Sequence, residues 1–155
     1  MYGKDHALFV TATEGWVLDN SSGVSQGLYA VLYPKGGNWD KSLTIMYVNS
    51  ASKKIQDNES TENLISYDSL NFLNNFKDGE IKSLPDLKSE YGKEIKILSF
   101  TYSNYELVAY INEPKKIALI IMTSRDKSDF EENINVFYEL VKSYRFMTSD
   151  VKFNK

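Results

Sequence analysis

The clearest hydrophobic pattern lies in the last third of the chain, where residues 94–103, 106–112 and 116–124 read as three strands. Residues 117–122 contain no polar side chain, and residues 107–111 and 28–33 are equally unbroken. A strand that faces water on one side alternates polar and apolar positions, so unbroken runs predict strands covered on both faces. The turns between the late strands, Ser103-Asn104-Tyr105 and Glu113-Pro114-Lys115-Lys116, are too short for a parallel crossover and predict antiparallel neighbours. The expected fold class is therefore α+β: a mostly antiparallel sheet covered by helices on both faces, an α/β/α sandwich.

Two segments carry helical rather than strand spacing. From Ser60 onward, Ile65, Ser69, Phe72, Leu73 and Phe76 share one face, with Asp57, Asn58 and Ser60 as candidate caps and Asp78-Gly79 as the end. A second helix is predicted over residues 129–144, with the stripe Phe130, Ile134, Phe137, Tyr138, Val141 and Tyr144. Its start, Ser128-Asp129-Phe130-Glu131, spells a capping box in which Ser128 and Glu131 satisfy each other's backbone donors. Residues 80–92, with Pro85 and little periodicity, read as a loop.

The first half alternates short strands and turns. Residues 7–12 and 16–19 flank Thr13-Glu14-Gly15, and residues 28–33 and 43–49 are extended. Residues 20–27 are rich in Ser and Gly and read as a mobile loop. Residues 34–41 form a second loop, Pro34-Lys35-Gly36-Gly37-Asn38-Trp39-Asp40-Lys41.

Composition narrows the possibilities. At 155 residues the chain is long enough to bury roughly two thirds of its unfolded surface, and one domain over residues 1–155 is expected. Eighteen basic and 21 acidic residues are scattered with few runs, and Arg125 and Arg145 are the only arginines, so nucleic acid is not an expected partner. The absence of cysteine removes disulfides, thiolate nucleophiles and sulfur-based zinc sites. The longest apolar run, residues 117–122, is far short of the roughly 20 residues of a spanning helix, so no transmembrane segment is expected.

Candidate chemistry is sparse. Ser50-Ala51-Ser52-Lys53 and Ser124-Arg125-Asp126-Lys127 both match the Ser-x-x-Lys spelling of serine acyltransferases, yet neither has a Ser-Asp-Asn or Lys-Thr-Gly companion. His6 is the sole histidine and stands next to the terminus, which disfavours a Ser-His-Asp relay. Loop acids Asp19, Asp40, Asp57 and Glu59 are the available carboxylates for acid–base work. Asp57-Asn58-Glu59 lacks the glycine and distal glutamate of a calcium loop, so no metal is expected, and no cofactor. Aromatic residues make up 14% of the chain, an excess that suits contact surfaces as well as a core. Trp39, among glycines and charges, either plugs the core under its loop or forms a recognition surface.

Gly15-Trp16-Val17-Leu18-Asp19, Tyr33-Pro34-Lys35-Gly36, and the ending from Val108-Ala109-Tyr110-Ile111 to Phe137-Tyr138-Glu139-Leu140-Val141-Lys142-Ser143-Tyr144-Arg145-Phe146 resemble the PsbP-like superfamily. The most telling part is a strand hairpin followed by a helix whose last turn reads Ser-Tyr-Arg-Phe. The resemblance implies an antiparallel sheet between helices, and a non-enzymatic role, since members mostly bind other proteins without a shared catalytic set. Likeness to the bacterial exported members implies a periplasmic or secreted protein whose leader has been removed; the cytosol stays open. The chain lacks a lipidation cysteine. The expected function is an accessory or protein-binding domain of the bacterial envelope, a monomer acting through the sheet edge and the 20–27 and 34–41 loops. Lys35, Asn38, Trp39 and Asp40 are the candidate partner-binding residues. Two alternatives stand beside it: a small-molecule or lipid carrier with a cavity between sheet and helix, lined by Met46, Phe72, Met122 and Phe137, and a hydrolase using the loop carboxylates.

Overall fold

The computed structural model describes residues 2–3, 6–53 and 60–148. In chain order the elements are β1 (Tyr2–Gly3), β2 (His6–Phe9), β3 (Trp16–Asp19), a 3-10 turn (Val24–Gln26), β4 (Ala30–Pro34), β5 (Thr44–Ser52), α1 (Thr61–Asn75), β6 (Glu80–Lys88), β7 (Glu94–Thr101), β8 (Tyr105–Asn112), β9 (Lys116–Ser124), α2 (Lys127–Lys142) and β10 (Arg145–Thr148). Seven strands form one antiparallel sheet in the order β3-β4-β5-β9-β8-β7-β6. A small sheet, β1-β2-β10, brings the first and last described strands together.

Register explains why the central strands are apolar throughout. Ala30, Val48, Ile120, Ala109, Ile97 and Leu84 stand side by side across six strands. This row faces α2, with Phe137, Leu140, Val141 and Tyr144 packed over it. The adjacent row, Tyr47, Ile121, Val108 and Leu98, faces the other way, where α1 brings Phe72 with Leu64 and Ile65 against the sheet. Helices therefore cover both faces, as the unbroken apolar runs predict.

Local details differ from the sequence reading for identifiable reasons. Residues 80–88 are a strand rather than a loop: Pro85 has no N–H to contribute, but β6 is an edge strand, where proline is tolerated. The register shift between Leu84 and Leu87 is a bulge that returns both side chains to the α2 face, which hides the alternation. Helix α2 starts earlier than the capping box suggests. Its N-cap is Asp126, whose carboxylate accepts from the Asp129 N–H at 2.8 Å, and Glu131 instead lies 3.8 Å from Lys127 one turn back. The stripe from Phe130 to Tyr144 does face the core, but Arg145 and Phe146 continue as β10 rather than as a last helical turn.

Helix α1 is capped by Ser60, whose hydroxyl accepts from the Asn63 N–H; Asp57 and Asn58 lie outside the described residues. Its inward face is Leu64, Ile65, Asp68 and Phe72, while Leu73 is exposed. A Cβ on Gly79 would meet the Phe72 ring at 2.5 Å, so the turn that ends α1 needs glycine. The 20–27 segment is organised around the 3-10 turn, with the Asp19 carboxylate accepting from the Ser21 and Ser22 backbone N–H groups at 2.8 and 3.0 Å.

One buried charge joins the ends of three elements. Glu113, 4% exposed in the β8–β9 turn, accepts from the Tyr144 hydroxyl at 3.0 Å and pairs with the Lys93 ammonium at 3.2 Å. Replacing it strands the buried Tyr144 hydroxyl without its acceptor. Glu113→Ala is expected to lower unfolding free energy in guanidinium titrations by about 1–3 kcal/mol, and Glu113→Gln, which keeps an oxygen acceptor, by less. An alanine variant as stable as the parent would refute this assignment.

Candidate functional site

Helix α1 does not seal the face it covers. Between it and the sheet lies a cleft of about 220 Å³ lined by Tyr47, Asp68, Asn71, Phe72, Phe100, Glu106, Val108, Tyr110, Leu119 and Ile121. Val108, Ile121 and Tyr47 are neighbours in register and form its floor. An aromatic cluster anchors one side: Phe72 meets Phe100 edge-on at 5.1 Å and Tyr102 at 5.6 Å, and Phe76 lies 4.2 Å from Tyr102. Such tilted and edge-on contacts hold α1 at a defined spacing.

Two carboxyl groups enter this apolar hollow from opposite elements. Asp68 comes from the inward face of α1, where the Tyr110 hydroxyl donates to it at 3.0 Å. Glu106 comes from β8, between Thr123 and Phe100 in register, and accepts from the Tyr102 hydroxyl at 3.1 Å and from Thr123. Burial raises the pKa of both acids, and the hydroxyl donors only partly oppose it. Burial and the neighbouring acids also push Tyr47 and Tyr102 up to about 12 and raise Tyr110 further. The tyrosines therefore keep their protons and act as donors and ring surfaces. No lysine or arginine is among the residues lining the cleft.

The residues singled out in the sequence fall elsewhere. Asn38 shapes its own turn, its side-chain oxygen accepting from the Lys41 N–H at 2.9 Å. Trp39 is half-buried and neither plugs the core nor stands free. With Asp40, Leu43, Ile45 and Asn104 it lines a hollow of about 210 Å³, beside Arg125, whose guanidinium donates to the Lys41 and Ser42 carbonyls at 3.0 Å. Lys35 is exposed and does not line that hollow.

Among the described residues, the loop acids Asp19 and Asp40 do not form a catalytic pair. Asp19 spends its oxygens on Ser22 and Ser21, whose hydroxyl and backbone donors hold its carboxyl well below the ordinary range. It sits at the opposite end of the β3–β4 ladder from the loop that carries Asp40. Asp57 and Glu59 lie outside the described residues. The Ser-x-x-Lys serines are also engaged: Ser50 bonds the Tyr29 hydroxyl at 2.8 Å, and buried Ser124 bonds Thr44 at 2.7 Å. His6 takes part in β2 opposite Gly3. Among the described residues no cluster of three or more His, Asp or Glu could hold a metal, and no helix is long and apolar enough to cross a membrane.

The lining expected for a carrier needs correction. Met46 and Met122 are fully buried beneath α2, against Phe137 of that helix, and of the four residues only Phe72 reaches the cleft, which lies under the other helix. Asp68 and Glu106 were legible in principle. Asp68 falls in the helical phase of Leu64, Ile65 and Phe72, and Glu106 in the strand phase of Val108 and Tyr110, so each is an acid at an inward-facing position.

The seven-stranded antiparallel sheet with a helix on each face is a PsbP-like fold. Three solved structures share it over nearly their whole length. Cyanobacterial PsbP (CyanoP) from Synechocystis is 10% identical over 92% of this chain and 93% of its own, with a TM-score of 0.53. LpqN, involved in cell envelope biogenesis of Mycobacterium tuberculosis, is 9% identical over 94% and 87%, with a TM-score of 0.62. The Ran-binding protein Mog1p of Saccharomyces cerevisiae is 10% identical over 90% and 89%, with a TM-score of 0.54. No protein-family model matches the chain, and no curated protein matches it significantly. Likeness at this identity establishes the fold; function has to be argued from the site.

The cleft acids give stability a defined pH dependence. Glu106 titrates at 4.5 when unperturbed and higher in the fold, so over the interval between the two the fold retains a proton that the unfolded chain has lost. Stability therefore falls as pH rises through that interval and levels off above it. Glu106→Gln is expected to flatten this decline in urea titrations run from pH 4.5 to 7. Parallel curves for variant and parent would rule the assignment out.

Proposed function

We propose that the chain is a non-enzymatic binding domain, folded as one unit over residues 1–155, whose ligand occupies the cleft between α1 and the sheet. The observation that carries this reading is the cleft itself: an opening between helix and sheet walled by aromatic and aliphatic side chains with a few convergent polar groups. Its acids are held by tyrosine and threonine hydroxyls, and no activated nucleophile or histidine base lines it. That favours binding over catalysis. Likeness to LpqN supports placing it in a bacterial envelope, and likeness to Mog1p, a Ran-binding protein, supports a binding role.

Small neutral aromatics such as phenol and toluene, titrated into isotope-labelled protein, should shift the backbone amides of Val108, Tyr110, Leu119 and Ile121. Asn71 is an exposed position on the cleft wall, so Asn71→Trp should fill the opening and abolish those shifts without unfolding the protein. Cleft amides that stay unmoved by millimolar small-molecule probes of every kind, neutral and charged, would defeat the proposal.

The Trp39 hollow supports a second surface, for a protein partner, made by Lys35, Asn38, Trp39 and Asp40. A half-buried tryptophan on a fixed loop offers rigid contact area at little entropic expense. With a partner in hand, Trp39→Ala should weaken binding by about 2 kcal/mol in calorimetry, and Lys35→Ala by less. An unchanged Kd for Trp39→Ala would remove this surface.

A further inference from the structure

We propose that the cleft selects an organic ammonium ion, a protonated or quaternary amine with a short apolar body, seated between the carboxyls of Asp68 and Glu106 and against the surrounding rings. The inference rests on the cleft being the binding site and adds the chemical class of its occupant.

Size gives the first argument. A volume of about 220 Å³ is below the range of roughly 300–1,000 Å³ typical of drug-sized ligands, so the cleft suits a head group or a small amine. Charge gives the second. Two acids enter the space and no cation of the protein lines it, so the fold does not neutralise them from within. Each carboxylate has about four acceptor positions. Tyr110 fills one on Asp68, and Tyr102 and Thr123 fill two on Glu106, so acceptor capacity remains on both.

The rest of the lining separates the possible cations. A calcium ion takes six to eight oxygen ligands and gains nothing from Phe72, Phe100, Val108, Leu119 and Ile121. An alkylammonium ion gains from both parts of the wall: its charge meets the carboxyls and ring faces, and its methyl or methylene groups cover the apolar floor. A neutral apolar ligand would leave two acids further desolvated with no compensation, and an anion would be repelled. Tyr47 and Tyr110, which line the cleft, keep their protons well above neutral pH, so their rings remain uncharged surfaces for such an ion.

The test compares choline with its neutral isostere dimethylbutanol, in which carbon replaces the quaternary nitrogen, by titration of isotope-labelled protein. Choline is expected to shift the amides of Val108, Tyr110 and Ile121 and to bind at least about tenfold more tightly than the alcohol. The double variant Asp68→Asn, Glu106→Gln should remove that preference, so that choline and the alcohol bind alike. Because the two ligands are compared on the unaltered protein, the result stands even if the double variant folds poorly. Equal affinity for choline and alcohol overturns the cation inference but leaves the cleft as a binding site. Cleft amides that respond to neutral aromatics and not to choline do the same. Silence toward every probe overturns both proposals.

Discussion

The rest of the structure depends on one constraint: the central strands β8 and β9 are apolar on both faces, so neither face can be left to water. Six residues from Ala30 to Leu84 lie in one continuous row beneath α2, and the adjacent row turns toward α1. A helix on each side is the economical answer, yet the two helices are unequal to the task. Seven strands span roughly 29 Å across, and one helix is about 10 Å wide. On the α2 side, the segment through Leu8, Val10 and Ala12 and the start of β10 help to close the layer. On the α1 side, fewer of the described residues join the helix, and the strip they leave open becomes the cleft.

How much of this was readable in the sequence depends on where the signal was local. Lys116–Ser124 is a strand over the expected residues because its apolar run and its short flanking turns agree. The stripe of α2 was equally plain, since six apolar positions at helical spacing leave little choice of face. What misled were features whose meaning is tertiary. Pro85 disqualifies a central strand but not an edge strand, and nothing in the sequence says which β6 is. Ser128 and Glu131 spell a capping box, but Asp126 two residues earlier takes the cap, beside buried Ser124, whose hydroxyl meets the Asp126 backbone. The site was less legible than the fold. Trp39 attracts notice because a large ring in a glycine-rich loop is conspicuous, while Asp68 and Glu106 are ordinary residues made unusual by the phase in which they fall.

That phase matters because it sets acids against burial. Both carboxyls sit where the hydrophobic layer calls for apolar side chains, and each is met by a hydroxyl rather than a cation. Glu113 shows the contrasting arrangement in the same molecule: more deeply buried than either, it is compensated by Lys93 as well as by Tyr144. One site is internally balanced and serves cohesion. The other stays short of positive charge, which is the kind of local imbalance that accompanies binding surfaces more than packing.

The margins of the large sheet also shape how this protein meets its own copies. At one end β6 carries Glu80, Lys82 and Lys88, a bulge, and a proline that cannot donate. At the other end β3 is only four residues long and finishes at Asp19, whose carboxylate folds the chain away into the next turn. Long flat edges invite strand addition and fibrillar stacking, whereas short, charged or kinked ones do not. In a sheet with strands this apolar, two such margins leave neither end a ready template for strand addition.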